Sequence, residues 1–389
     1  MSKIDDLIKE LCPDGAKFLD LVNCANIKRG KRVTKSDLDQ SAPFPVYSGG
    51  IKPMGYYHTY NQSKNTITVV KYGTAGFVNF IKEDFWANDV CYCVIPKESL
   101  INKYLYYVLK NQEDYIKSQA TDAIPAHLPT DVIRSIKIPI PPLEVQKEIV
   151  RVLDSFTELE AELEAELEAR KKQYEYYRNT LLTFNDDVMW KPMGEVGELI
   201  RGNGLQKKDF TEEGFPCIHY GQIYTYYGTF AKETKSFVSC SLAEKLVKAE
   251  CGDVIITNTS ENINDVGKTV AWCGNQAVVT GGHATVFKPR LVSGKYFAYY
   301  SQTGDFYKEK KRYAKGTKVI DVSTKDMSKI KIPVPSIEKQ KQIVSILDKF
   351  EKLTNDISVG LPAEIEARRK QYEYYRNRLL SFKKLNDNE

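Results

Sequence analysis

The side chains best suited to specific chemistry stand in short polar segments that combine cations with amide and hydroxyl groups, most of them around a glycine. These segments are 28–32, 48–50 and 71–76 in the first half of the chain and 201–208, 219–222, 257–262 and 308–318 in the second. Base edges are read by Arg, Lys, Asn, Gln, Ser and Thr, whereas cations, hydroxyls and backbone N–H groups bind phosphate. Any single residue also fits a solvated surface loop, but the recurrence of the mixture in both halves favours DNA.

We predict that the cation-rich segments 28–32 and 308–318 contact phosphates and that the other segments read bases. The predicted DNA-contacting residues are Lys28, Arg29, Lys31, Arg32, Ser48, Lys71, Tyr72, Thr74, Arg201, Asn203, Gln206, Lys207, Lys208, Tyr220, Gln222, Asn258, Ser260, Asn262, Lys311, Arg312, Lys315 and Lys318. The formal net charge of +5 is modest, and its surplus lies in residues 1–142 and 188–336, which carry 18 and 21 basic against 15 and 15 acidic side chains.

No constellation for catalysis or metal binding can be assembled from the sequence. The string Gly267-Lys268-Thr269 resembles a phosphate-binding loop, but Asn262 stands where that loop requires its first glycine. The eight cysteines contain no CxxC pair and are predicted to be free, with Cys91 and Cys93 on the buried face of a strand. The four histidines lie far apart and are predicted to be surface or core-edge residues; they are His58, His127, His219 and His283. We therefore expect no metal site and no catalytic residue.

The chain contains two copies of one helical sequence. Residues 138–156 and 332–350 are identical at 11 of 19 positions, and residues 168–184 and 366–382 at 14 of 17. The stretches before each copy, 1–137 and 188–331, share only an outline: a basic segment, β-rich alternation and a tyrosine-rich helix. The sequence therefore alternates variable domains with constant helices.

The repeated segments have the pattern of a coiled coil. No Pro or Gly occurs between Pro142 and Pro192, and apolar residues recur there with a period of 3.5. The predicted seam is Ile149, Leu153, Phe156, Leu163, Leu167, Tyr174, Tyr177, Leu181 and Phe184. In the second copy, Gly360 and Pro362 are expected to break or kink the helix. We predict an antiparallel pair, 143–184 against 337–382, around a pseudo-two-fold axis; in the alternative, each helix docks only on its own domain.

Composition limits the class of protein. Apolar residues make up 42% and charged residues 28% of the 389 residues, as in ordinary globular proteins. No run approaches the ~18 apolar residues of a membrane span, and residues 1–6 have no apolar signal core. These features predict a soluble cytoplasmic protein without a membrane partner.

The IP-x-P-x-x-E-x-Q-K segments and the two QYEYYRN helices together resemble the specificity (S) subunit of type I restriction–modification systems. The resemblance covers the whole chain and implies an α/β (α+β) fold. It implies two target-recognition domains, at 1–142 and 188–336, and two helical spacers, at 143–187 and 337–389. Each recognition domain would read one half of a bipartite target in double-stranded DNA. The spacers would set the gap between the halves and dock two methyltransferase (M) subunits.

The same resemblance implies that catalysis belongs to other subunits. S-adenosylmethionine, ATP and Mg²⁺ are expected on the partners, with restriction (R) subunits joining through the M complex, and no cofactor is expected on this chain. Aromatic and arginine side chains dominate interface energetics, so the QYEYYRN helices are expected to bind M. The predicted partner-binding residues are Tyr174, Tyr176, Tyr177, Arg178, Tyr372, Tyr374, Tyr375 and Arg376, of which Tyr176 and Tyr374 point outward.

Two other classes of protein stay open. A self-sufficient methyltransferase or nuclease would modify DNA when purified alone, but the sequence lacks the expected cofactor motifs. A coiled-coil scaffold with two protein-binding heads would show no salt-dependent affinity for DNA.

Overall fold

The computed structural model describes residues 3–185, 188–356 and 359–385, which cluster into two units. Unit 1 comprises Met1–Glu162 and Ile365–Glu389, and unit 2 comprises Leu163–Glu364. Each unit thus joins one globular domain to part of the first helical segment and part of the second. Among the described residues, no helix is long and apolar enough to cross a membrane.

Unit 1 is built around a four-stranded antiparallel sheet in the order β2-β8-β5-β6. Its elements are α1 (Lys3–Leu11), β1 (Lys17–Asp20), α2 (Leu21–Cys24), β2 (Ala25–Arg29), β3 (Phe44–Tyr47), β4 (Tyr56–Tyr57), β5 (Thr66–Val70), β6 (Val78–Ile81), β7 (Trp86–Ala87), β8 (Cys91–Pro96), α3 (Asn102–Asn111), α4 (Glu113–Ser118), α5 (Thr130–Ser135), β9 (Lys137–Ile140) and the first half of α6 (Leu143–Leu181). The central strands β5 and β8 are rich in β-branched and aromatic residues and are almost wholly buried. Cys91 and Cys93 are buried there as free thiols, as predicted. The other six cysteines are also free.

Unit 2 repeats this topology. Its elements are the second half of α6, β10 (Met189–Pro192), α7 (Met193–Val196), β11 (Gly197–Arg201), β12 (Phe215–Ile218), α8 (Tyr220–Thr225), β13 (Phe230–Ala231), β14 (Ser236–Val238), α9 (Cys240–Ala243), β15 (Val247–Ala249), β16 (Val254–Thr257), β17 (Thr259–Ser260), β18 (Thr269–Trp272), β19 (Val278–Thr280), β20 (Ala284–Pro289), α10 (Gly294–Tyr300), α11 (Gly304–Tyr313), β21 (Ile320–Asp321), α12 (Thr324–Met327), β22 (Lys331–Val334) and α13 (Ile337–Asn355). Its main sheet has the order β11-β20-β16-β18-β13. β12 pairs in parallel with β19 as β3 does with β7, and β10 pairs with β22 as β1 does with β9. The shared outline of the two variable stretches therefore corresponds to a shared fold.

The predicted break in the second helical segment is present. α13 ends at Asn355, and α14 begins at Leu361 and runs to Leu380. Gly360 donates its N–H to the carbonyl of Asp356 at 2.9 Å. A Cβ at this position would lie 2.6 Å from the Lys352 carbonyl oxygen, so only glycine fits.

Antiparallel helix packing is confirmed within each unit. In unit 1, Phe156 of α6 stacks on Tyr375 of α14 with ring centroids 5.4 Å apart, and Arg369 donates to Glu160 at 2.5 Å. In unit 2, Tyr177 stacks on Phe350 of α13 at the same separation of 5.4 Å. The same aromatic contact therefore joins the two helical copies in each unit, which excludes the alternative in which each helix docks only on its own domain.

The repeated motif also ties each helix to its domain. The side chain of Gln146 is buried, accepts from the Ile101 N–H at 2.9 Å and donates to the carbonyls of Ser99 and Pro141 at 3.0 and 2.8 Å. Gln340 makes the corresponding three bonds in unit 2, to the Ser293 N–H and the carbonyls of Leu291 and Pro335. The glutamine that interrupts the apolar seam is therefore a buried polar anchor.

An aspartate of the same motif forms a second tie. Asp154 accepts from Lys103 and Tyr107 of α3, at 2.6 and 2.5 Å. In unit 2, Asp348 accepts from Lys295 and Tyr299 of α10, at 2.5 and 2.8 Å. These ties, which the sequence pattern did not reveal, hold each domain on its helix.

Candidate nucleic-acid interface

In unit 1 the predicted segments meet at one end of the sheet. Gly30 donates to the Cys91 carbonyl at 3.1 Å, and Lys31 donates to the Ala87 carbonyl at 2.9 Å. The Asn88 side chain accepts from the Val33 N–H at 3.2 Å and donates to the Val33 carbonyl at 3.0 Å. The basic segment that follows β2 is thereby fastened to the loop before β8.

The loops after β3 and β5 join the same end. Thr74 donates both its N–H and its hydroxyl to the Gly49 carbonyl, each at 2.9 Å. Gly73 has a φ of +93°, and a Cβ on it would lie 2.6 Å from the Gly49 oxygen, so this close approach requires glycine. Lys71 Nζ lies 5.2 Å from the centroid of the Tyr72 ring. Residues 28–32, 48–50 and 71–74 therefore form one continuous surface, which we call surface 1.

Surface 1 is electropositive. Within the described residues, the exposed side chains of Lys28, Lys31 and Arg32 form no ion pair, whereas Arg29 donates to the Asp89 carbonyl at 2.6 Å and lies 3.6 Å from its carboxylate. Unpaired cations on one face attract a polyanion and release its counterions on binding. All eight residues predicted in this half, including Ser48, lie on this surface.

Unit 2 places equivalent segments at the corresponding end of its sheet. Arg201 donates through Nε to the Gly282 carbonyl at 3.0 Å, as Arg29 does to Asp89 in unit 1. Tyr220 lies between two imidazoles, 4.4 Å from His219 and 4.8 Å from His283. We call residues 201–208, 219–222, 259–262 and 281–283 surface 2. Gln206, Lys207 and Lys208 are exposed on it.

His219 shapes surface 2 as a neutral imidazole. It is buried, and its Nδ1 accepts from the Gly221 N–H at 3.2 Å at the start of α8. Burial, followed by the nearby charges of Lys207 and His283, lowers the pKa of His219. The neutral ring therefore persists at pH 7 and keeps Nδ1 available as the acceptor that caps the helix.

Several predicted base-reading side chains bond to their own domain. Asn203 links the Lys245 carbonyl to the Val247 N–H, at 2.9 and 3.2 Å. Gln222 donates to the Ser236 hydroxyl at 2.6 Å, and Asn262 accepts from the N–H groups of Asn264 and Asp265. Ser260 lies in β17, paired with Ile320 of β21. These residues shape the loops of surface 2.

The prediction for Asn258 is wrong. Its side chain is 0% exposed and donates to the Val322 carbonyl at 2.8 Å while accepting from the Thr285 hydroxyl at 2.9 Å. Asn258 faces the interior because the distant residue Val322 bonds to both its backbone and its side chain, which the sequence did not indicate.

Only some of the cations in the basic stretch 308–318 are exposed and unpaired, as contact with phosphate would require. Lys311 and Lys318 are exposed and, within the described residues, form no ion pair. Arg312 pairs with Glu309, and Lys315 pairs with Asp326 at 2.9 Å; Lys315 and Lys329 hold the pKa of this carboxyl below its usual range. Lys310, inside the stretch, is buried and donates to the carbonyls of Asn264 and Val266 at 2.8 and 2.6 Å. Burial lowers the pKa of Lys310 to about 8.

The predicted partner-binding residues divide into two groups. Tyr174 is only 7% exposed and donates to Glu351 at 3.0 Å, so the prediction that it contacts a partner is wrong. Tyr177 and Tyr375 stack on Phe350 and Phe156 inside their units. Tyr372 packs against the core of unit 1, Arg376 donates to Asn111 at 3.0 Å, and Arg178 donates to Gln302 at 3.3 Å. Tyr176 and Tyr374 alone in this set have most of their surface exposed.

Two domains of one topology, each with a cationic surface and each tied to paired helices, define a protein with an internal repeat and a candidate nucleic-acid surface on each copy. The family model for the type I restriction modification DNA specificity domain matches twice, at residues 13–169 and 185–367. The chain belongs to this family, whose members recognise DNA targets for type I restriction–modification systems.

Relatives support the assignment along most of the chain. A putative type I restriction enzyme specificity subunit of Haemophilus influenzae is 33% identical over 375 residues, covering 92% of each chain. The EcoR124I/EcoR124II specificity subunit of Escherichia coli is 35% identical over 302 residues, covering 72% of this chain and 71% of that one. The crystal structure of an S subunit from M. genitalium has the same fold, with a TM-score of 0.62, 18% identity and coverage of 94% of this chain and 96% of that one.

Proposed function

We propose that this chain supplies the sequence specificity of a type I restriction–modification complex and catalyses no reaction itself. Surface 1 reads one half of a bipartite DNA target and surface 2 reads the other. The observation that carries the proposal is the repetition of one fold with equivalent loops at the same end of each sheet. The paired helices set the gap between the halves and dock two M subunits, and R subunits join through M. S-adenosylmethionine, ATP and Mg²⁺ bind to those partner subunits.

The decisive experiment maps the methylated bases. The chain is co-expressed with its M subunit in a host that lacks both, and the methylated positions are identified by single-molecule sequencing. We expect a split motif, two short defined blocks around a fixed undefined gap. Replacing residues 1–142 by the matching domain of a relative should change one block and leave the other. A stable complex that adds no methylation would instead favour a protein scaffold, and methylation by the purified chain alone would show an enzyme.

Surface 1 should contribute measurably to the salt dependence of DNA binding. Changing Lys28, Lys31 and Arg32 together to alanine removes three cations that have no ion pair within the described residues. If each neutralises one phosphate, the slope of log K against log salt should flatten by about 3. The measurement is fluorescence anisotropy of labelled duplex DNA at several salt concentrations, using the assembled complex.

The matched control replaces three exposed lysines outside surface 1. Lys17 lies in β1, and Lys64 and Lys82 flank the ends of β5 and β6 away from Lys71. This variant loses the same formal charge but should keep the wild-type slope. Equal flattening in both variants would show that net charge, rather than a phosphate-contacting surface, determines affinity.

A further inference from the structure

Each DNA-facing surface has a histidine beside it whose ring is held by its neighbours. His127 forms a bridge with Tyr72, and the two rings stack with centroids 5.6 Å apart and an interplanar angle of 27°. His283 belongs to surface 2 and packs on Tyr220. The sequence pattern had indicated only surface or core-edge roles for both.

A threonine hydroxyl anchors the Nδ1 atom of each ring. Thr121 Oγ1 lies 2.8 Å from Nδ1 of His127, and Thr259 Oγ1 lies 2.9 Å from Nδ1 of His283. Thr121 Oγ1 also accepts from the backbone N–H of His127 at 3.2 Å, so its own hydrogen is free to point at Nδ1. When the threonine hydroxyl donates to Nδ1, the ring carries its N–H at Nε2.

The Nε2 atoms of both histidines remain free to form a hydrogen bond with a ligand. Within the described residues, neither Nε2 forms a hydrogen bond, and neither is a buried atom without a partner. The His127 ring stacks on Tyr72 and the His283 ring packs at a tilt of 44° against Tyr220, and a threonine at Nδ1 fixes the rotation of each. An Nε2–H held in this way is a preorganised donor that matches N7 or O6 of guanine, N7 of adenine and O4 of thymine.

The two histidines do not occupy equivalent positions in the repeated fold. The β17–β21 pairing of Thr259 with Asp321 corresponds to the bridge between Tyr72 and His127, so unit 2 has Asp321 where unit 1 has His127. His283 instead lies in the loop before β20, which corresponds to the loop before β8. Different loops therefore bring a histidine to the same end of the sheet in the two units.

We propose that His127 and His283 are specificity-determining residues, each donating its Nε2–H to an acceptor on a base edge, one in each half of the target. The inference rests on the proposed function, because it presupposes that each surface reads one half-site. It adds His127 and His283, which both lie outside the predicted segments, and assigns each a direct contact.

The test uses His127→Phe and His283→Phe in the co-expressed complex, since phenylalanine keeps a packed aromatic ring and removes both nitrogens. In His127→Phe, one base position in one half-site should accept a second base, with discrimination reduced about tenfold. In His283→Phe, the other half-site should change in the same way. The readouts are the methylation motif and the methylation rate on duplexes that carry each base at the affected position.

Two further variants make the result specific. His58→Phe alters an exposed histidine beside Asp39, outside surface 1, and should leave the motif unchanged. Thr121→Val keeps His127 but removes its anchor, and should weaken discrimination at the same base as His127→Phe.

Unchanged discrimination, within twofold, in both His127→Phe and His283→Phe would overturn the inference, and so would an equal change in both half-sites from either variant. Failure of the proposed function would look different, because the wild-type complex itself would then produce no split motif.

Discussion

Alanine at both Tyr176 and Tyr374 should abolish stable binding of the M subunit while leaving the fold of this chain unchanged. The two side chains are 65% and 60% exposed, although each sits beside a tyrosine that packs into its own unit. Truncating a buried aromatic anchor of an interface typically costs about 2–4 kcal/mol, which corresponds to roughly 30- to 1,000-fold in affinity. Since the residues are equivalent positions of the two copies, each single variant should remove one of two M subunits.

The measurement is the stoichiometry and affinity of the complex, by analytical ultracentrifugation and titration calorimetry. Tyr115→Ala and Tyr226→Ala are matched controls, because both residues are 57% exposed and lie outside the repeated helices. Thermal unfolding should be within about 1 °C of wild type for all four single variants, as expected for surface substitutions. Full binding of two M subunits by the double variant would refute the assignment of these tyrosines as anchors.

The second large effect concerns stability. Gln146→Leu removes three hydrogen bonds of a buried side chain, leaving the Pro141 carbonyl unpaired in a buried site and the Ile101 N–H and Ser99 carbonyl unpaired in partly buried ones. Each unsatisfied group costs about 1–3 kcal/mol, so a total loss of about 3 kcal/mol or more in unfolding free energy is expected. At about 2–4 °C per kcal/mol for a domain of this size, Tm should fall by about 10 °C.

Two comparisons isolate the polar anchor from general disturbance of the helix. Lys147→Ala changes the exposed neighbouring residue on α6 and should shift Tm by no more than about 2 °C. Gln146→Glu keeps the shape and the acceptor for Ile101 but loses both donated bonds, so it too should be strongly destabilised. A Gln146→Leu protein as stable as wild type would show that these bonds do not hold the domain on the helix. Gln340→Leu provides an independent test in unit 2.

The local parts of this structure could be predicted from the chain itself. Helix α6 begins directly after Pro142, and α13 and α14 are separated at Gly360, because Pro and Gly act on the backbone of their own neighbourhood. The repeat also indicated which helices pair, because identical surfaces at Phe156 and Phe350 need identical aromatic partners. The exposure of Tyr176 and the packing of Tyr177 follow from helical phase.

Side chains whose surroundings come from distant segments could not be placed in this way. Gln146 looked like an interruption of the seam, but the carbonyls that it binds at Ser99 and Pro141 belong to a different part of the fold. Tyr174 is predicted to contact a partner, but its hydroxyl donates a hydrogen bond to Glu351, which lies 177 residues away in the chain. Asn258 has the amide side chain of a base-reading residue, but it lies in the interior of the domain.

The sequence by itself determined the repeat, the helical spacers, the break between them and the family, because these depend on local backbone preferences and on residue identity. The tertiary structure decided which segments share a surface. Gly49 and Thr74 meet because two strands end side by side, and His127 reaches Tyr72 through a backbone bridge. Contacts of this kind depend on strand order and register, which no short pattern encodes, since they are fixed only when the whole sheet has formed.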